Sequence, residues 1–225
     1  MTRHSRHRLA VARVAALTIT AFVLGLAVRG STSQPHDRPR PLPTAIEHTL
    51  GPRTTSDGIP SGFERSGRGA VAAAAAYVLT GARLVDMKRS EVAAAVDRMS
   101  TAATASQQKR TTLDDLDRID RELASGTGPI HYDQAVLDTH LDSYTSDRSQ
   151  VRVWSVGVVA RDGVLDPQAE WHISTVELEW QSNDWKIADE TISSGPTPAA
   201  DADGEPSTAA EIDRQLSGFD RWGKS

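Results

Sequence analysis

The chain has 225 residues, 38% of them hydrophobic, with a formal net charge of −5 and no cysteine. That length suits one ordinary domain plus extra segments, and the low apolar fraction assigns part of it to linker or tail. The acidic balance argues against direct nucleic-acid binding. The absence of cysteine removes disulfides, thiolate metal sites and a cysteine nucleophile.

Met1 to Arg13 carries four arginines and two histidines, and Val14 to Val28 follows without a charge. Counted from Leu9, the apolar run reaches the ~20 residues that a spanning helix needs. Arg13 lies near its inner end, where an arginine can reach the headgroups. The basic flank places the N-terminus in the cytoplasm and the rest of the chain outside. A cleaved secretory signal is the rival reading, with Gly25-Leu26-Ala27 as its small-x-small triplet. That triplet sits inside the apolar run, so residues 1–29 are read as a retained signal anchor in the cytoplasmic membrane. Residues 30–61 hold Pro35, Pro39, Pro41, Pro43, Pro52 and Pro60 among polar residues. Such a composition buries little and favours extended chain. It is read as a spacer, a proline-rich ligand for a partner being the alternative.

From Gly62 the pattern becomes that of a folded domain, 62–198. Val71, Ala74, Val78, Ala82 and Val85 recur at helical spacing. The alanines at 72–76 favour the helix and give it a thin packing face. Ser66 is the candidate N-cap. Gly67-Arg68-Gly69 resembles a phosphate loop only superficially, because no strand precedes it and no Gly-Lys-Ser/Thr follows. A second helix is predicted from Ser90 to Met99, capped by Ser90. A third is predicted from Thr112 to Ala124, with Leu113, Leu116, Ile119 and Leu123 inward. Asp114–Arg118 and Asp117–Arg121 are spaced for ion pairs on its wet side.

Ser125-Gly-Thr-Gly-Pro129 breaks the helical run. The first strand, Ile130 to Ser143, is irregular and expected to be bulged. The second, Val151 to Ala160, has apolar residues on both parities, which places it near the middle of a sheet. Arg161-Asp162-Gly163 reads as a turn. In Trp171–Trp180, Val176, Leu178 and Trp180 alternate with Glu177 and Glu179, and Trp185 and Ile187 resume the alternation after Gln181–Asp184. This predicts a hairpin with a four-residue loop and Trp180 and Trp185 packed across it into the core. Trp171 and Ile173 fall on the other parity, so a bulge near Ser174 and Thr175 is predicted. Residues 199–225 are an acidic, polar tail with a short helix from Ala209 to Phe219. Leu216, Phe219 and Trp222 are its candidate docking side chains. No internal repeat is read in the chain.

Helices followed by a meander of antiparallel strands make an α+β pattern: an N-terminal transmembrane helix, then about three helices on a curved antiparallel sheet of about four strands. With its closing Leu178-Glu-Trp180 and Asp184-Trp-Lys-Ile187, this order resembles the cone-shaped nuclear transport factor 2-like (cystatin-like) superfamily. The full layout, including Gly69-Ala-Val-Ala-Ala-Ala-Ala-Ala-Tyr77, Val151-Arg-Val-Trp-Ser-Val156 and Gly195-Pro196, is similar to actinobacterial single-pass membrane proteins. In plan it is similar to the bitopic inner-membrane subunit of conjugative and type IV secretion machines. That resemblance implies an assembly component outside the membrane with other subunits as partners, self-association being open. It supplies no catalytic, cofactor-binding or metal residues.

The alternative is an anchored cone-fold enzyme or small-ligand binder. Its candidate residues are His131, Tyr132, Asp138, His140 and His172, with His131–Asp133 and Asp138–His140 sharing strand faces. An acid or base of that kind needs an apolar pocket to tune it. A wet strand face gives the same alternation without any chemistry, so an enzyme is the less favoured reading. No metal-ligand spacing and no nucleophile elbow are present. Asp201-Ala-Asp203-Gly204-Glu205 fails the calcium-loop pattern.

Overall fold

The computed structural model describes residues 51–198 and 206–221. The predicted anchor lies outside the described residues, as do Trp222 and most of the predicted spacer. What is described of the spacer ends in a small hairpin, β1 (Thr54–Ser56) and β2 (Ile59–Ser61). Asp57 and Gly58 both take positive φ at its turn, the backbone that a two-residue Asp-Gly hairpin loop requires. Ile59 is buried, so the folded unit begins ahead of Gly62.

The domain is α+β, with three helices on one face of an antiparallel sheet. Helix α1 spans Gly67–Arg83, and Ser66 caps it as predicted, its hydroxyl accepting the Gly69 N–H at 3.0 Å. Helix α2 spans Arg89–Met99. It is capped two residues earlier than predicted: the Glu91 carboxylate reaches back to the Lys88 N–H at 3.0 Å, and Ser90 lies inside the helix. Helix α3 spans Ala105–Glu122, starting earlier than its apolar stripe. The first turns bury Gln108 and Thr112 in place of leucines. Gln108 bonds to Ser100 and to the Ala188 carbonyl, so buried polar groups are satisfied there. The predicted pairs within α3 do not form. Arg89 of α2 takes Asp117 and Asp120, while Arg118 takes Asp115 and Glu122. The Arg118 pairs stay within α3, whereas Asp117 and Asp120 join α3 to α2, which local spacing cannot show.

The sheet consists of β3 (His131–Tyr144), β4 (Arg148–Arg161), β5 (Leu165–Gln181), β6 (Asp184–Ser194) and a short β7 (Asp220–Arg221), in the order β6-β5-β4-β3-β7. β4 is central, as its two apolar faces required. β3 carries register shifts at Val136/Asp138 and Leu141/Ser143, so its irregular pattern does mark bulges.

The β5–β6 hairpin differs from the prediction in two ways. Its loop is two residues, Ser182 and Asn183, both with positive φ, and Gln181 and Asp184 pair with each other. No register break occurs at Ser174 or Thr175. The break lies between Glu177 and Leu178, where Ala188 of β6 is the extra residue. Trp171 and Ile173 change parity for another reason: they lie on the outer face, opposite Val156 and Trp154 of β4. The outer face is partly covered here, with Trp154 buried and Trp171 and Ile173 half-buried, so both parities are apolar.

Helix α1 packs across the inner face and touches β3, β4, β5 and β6. Its Ala70 and Ala72–Ala75 are buried, which lets helix and sheet approach closely. Gly67–Asp86 is also apolar enough to cross a membrane by composition. Here, however, ten of the residues of α1 are buried within the domain. Trp185 is fully buried, its indole N–H donating to the Glu64 carbonyl at 2.9 Å. Trp180 meets it edge-on at 5.3 Å and is itself half-buried, with the Arg65 guanidinium 5.3 Å above its ring.

Candidate inner-face site

Polar residues interrupt the core where β3, β5 and β6 pass beneath α1. On β3, Tyr132 and Gln134 point inward. Gln134 donates to the Ser155 hydroxyl of β4 at 2.8 Å. On β5, His172 and Ser174 point inward. His172 Nε2 lies 3.4 Å from the Glu170 carboxylate, and both side chains are largely covered. On β6, Glu190 pairs with the buried Val176 and so shares its face. The Ala188 bulge produces this: it shifts the parity of β6 by one, placing Trp185 and Ile187 inward before it and Glu190 and Ile192 inward after it.

Two small cavities, of about 60 and 70 Å³, flank Glu190. Both are lined by Tyr77, Gly81 and Glu190. The first also reaches Tyr132, His172 and Ser174, and the second reaches Gln108 and Thr112. Glu190 retains part of its accessible surface, but protein atoms surround its carboxyl. Burial pushes that carboxyl up from 4.5 to about 6; the Ser174 hydroxyl opposes the shift and Asp189 adds to it. Burial also pushes the Tyr132 phenol up to about 12, helped by Glu170 and Glu190. The Tyr77 phenol is raised mainly by burial and then by Asp184, and it donates to the Trp185 carbonyl at 2.7 Å. A carboxyl, an imidazole and a phenol thus converge on a space for a few waters. The group can hold a proton or a small polar molecule.

The candidates read from sequence separate. Tyr132 and His172 meet at this cavity. His131 is exposed at the start of β3. Asp138 and His140 lie on the outer face, opposite Trp154 and Arg152. His140 Nε2 lies 3.4 Å from the Asp142 carboxylate. Glu170, Ser174 and Glu190 were not foreseen. In strand alternation Glu190 reads as a solvated residue, and only the bulge turns it inward. Among the described residues, no three His, Asp or Glu side chains are placed to share a metal ion.

One solved structure similar to the chain is the crystal structure of the intermembrane space region of chloroplast protein ARC6. It is 14% identical, with a TM-score of 0.33, covering 54% of this chain and 95% of that one. No curated protein matches the chain. Residues 37–207, most of the chain and all of the domain just described except the short β7, match the family described as "Domain of unknown function (DUF8175)", and the chain belongs to that family.

Proposed function

We propose that the chain is a membrane-anchored, non-catalytic interaction module. In this reading residues 1–29 span the cytoplasmic membrane, and a nuclear transport factor 2-like cone stands outside as a component of a transfer or secretion apparatus. The observation that carries it is the filled interior. Ligand sites usually need about 300–1,000 Å³, whereas the inner-face cavities are about 60 and 70 Å³. Val151, Val153, Val176, Leu178 and Trp185 occupy the space between sheet and helices. A domain packed this way presents surfaces, and a membrane tether concentrates those surfaces beside neighbouring subunits.

The second reading, an anchored enzyme or binder of a very small ligand, draws on the raised Glu190 carboxyl beside Tyr132 and His172. Replacing Tyr132, His172 and Glu190 singly with Phe, Ala and Gln separates the two. Under the interaction reading each variant keeps transfer or secretion at the parental level, and deletion of residues 1–29 abolishes it. If one of the three loses function while its membrane level and melting temperature are unchanged, the site is chemical and the interaction reading fails. Mass analysis of membrane-extracted protein checks the anchor: a chain beginning near Val28 would show a cleaved signal.

A further inference from the structure

The last described residues of the tail act as a ligand, and the outer sheet face provides their seat. The His140 Nδ1–H donates to the Gly218 carbonyl, since a carbonyl can only accept. Phe219 stacks on the His140 ring, with centroids 5.8 Å apart and planes at 25°. The Arg152 guanidinium lies 4.9 Å from the centre of the Phe219 ring. A two-pronged ion pair to Asp142, at 2.9–3.0 Å, holds that guanidinium in place. Asp220 and Arg221 then pair antiparallel with Thr139 and Asp138, adding a strand to the edge of β3. Glycine is required at 218: its φ is 84°, and a Cβ would stand 2.7 Å from the His140 ring.

A five-residue near-copy of this peptide, too short to count as a structural repeat, occurs earlier in the chain. Ser217–Arg221 reads Ser-Gly-Phe-Asp-Arg, and Ser61–Arg65 reads Ser-Gly-Phe-Glu-Arg. Both glycines are left-handed, at 84° and 76°. Both phenylalanines seat on an aromatic ring, Phe63 meeting Tyr77 edge-on at 5.6 Å. The first copy is locked in the core, with Phe63 2% exposed and its N–H bonded to Asp184 at 3.0 Å. The second copy lies at the surface, with Phe219 half-buried on its seat. Helix α4 (Ala209–Gln215), which leads to it, buries no residue. Beyond the hydrogen bonds between Thr197 and Ser207, at 2.7 and 3.0 Å, the described contacts that fix the tail are those of the seat itself.

We propose that Gly218–Arg221 docks in trans, onto the His140–Arg152–Asp142 seat and β3 edge of a second copy of this chain. Two copies exchange tails and fill both seats, a closed two-fold arrangement. The contacts are the same within one chain or between two, so local concentration selects between them, and confinement to a membrane raises it. The proposal deepens the interaction reading by naming one partner. Its failure would leave the anchor-deletion and cavity-substitution tests above standing.

The test uses two differently tagged copies of the full-length chain, co-expressed and extracted in detergent. Purifying one tag is expected to recover the other. Phe219→Ala or Gly218→Val in both copies is expected to reduce recovery by about ten-fold or more, as loss of an aromatic anchor does. Phe219→Ala in one copy with Arg152→Ala in the other leaves one intact tail and one intact seat, and is expected to restore recovery relative to Phe219→Ala in both. Circular dichroism of each variant checks folding. The proposal is overturned if parental copies do not co-purify, as with tails docked only within their own chain. It is equally overturned if recovery survives Phe219→Ala and Gly218→Val, as with pairing through the anchor.

Discussion

Glu190→Gln isolates a carboxyl whose ionisation is raised by burial. The Glu190 carboxyl titrates near 6 in the folded chain against an ordinary value of 4.5. Between those two pH values the folded state holds more protons than the unfolded state, so stability falls as pH rises through the window and levels off above it. The difference of about 1.5 units corresponds to at most roughly 2 kcal/mol. Glutamine keeps an oxygen to accept from Ser174 and has no proton to lose. The variant should therefore match the parent near pH 4 and exceed it by up to roughly 2 kcal/mol at pH 8, raising the melting temperature by about 4–8 °C. Glu170, His172, Tyr132 and Asp189 face or adjoin the same space in both proteins, so their own titrations largely cancel in the difference. The assay is chemical and thermal unfolding from pH 4 to 8 of a chain lacking its N-terminal apolar segment. A variant no more stable than the parent at pH 8, or a parent with the same pH slope as the variant, would refute the inward placement of this carboxyl.

Two further predictions test the packing. Trp185→Ala removes a fully buried indole and its bond to the Glu64 carbonyl, so unfolding should become easier by about 3–5 kcal/mol; an unchanged denaturant midpoint would place that side chain on the surface. Asn183→Gly, at a φ of 61° in the β5–β6 loop, relieves a left-handed non-glycine residue and should be neutral or stabilising by up to about 1 kcal/mol; a clear loss of stability would mean that the asparagine side chain is needed in the turn.

Much of this architecture is already present in local sequence. Helical spacing with the Ser66 cap located α1, and the doubly apolar Val151–Ala160 stretch located the central strand. The alternation of Val176, Leu178 and Trp180 located the hairpin and its buried tryptophan. Each is a periodic signal that repeats over several residues, and burial on one face or two enforces it. What escaped depended on distant partners. The early start of α3 rests on polar residues satisfied by Ser100 and Ala188, and Asp117 and Asp120 of α3 are claimed by Arg89 of another helix. Above all, one extra residue, Ala188, reverses the parity of β6 and turns Glu190 from a wet face into the core. Register is a property of paired strands, so a single strand cannot announce it. The seat for Phe219 is likewise assembled from β3 and β4, whose His140, Asp142 and Arg152 read as ordinary surface charges until the sheet brings them together.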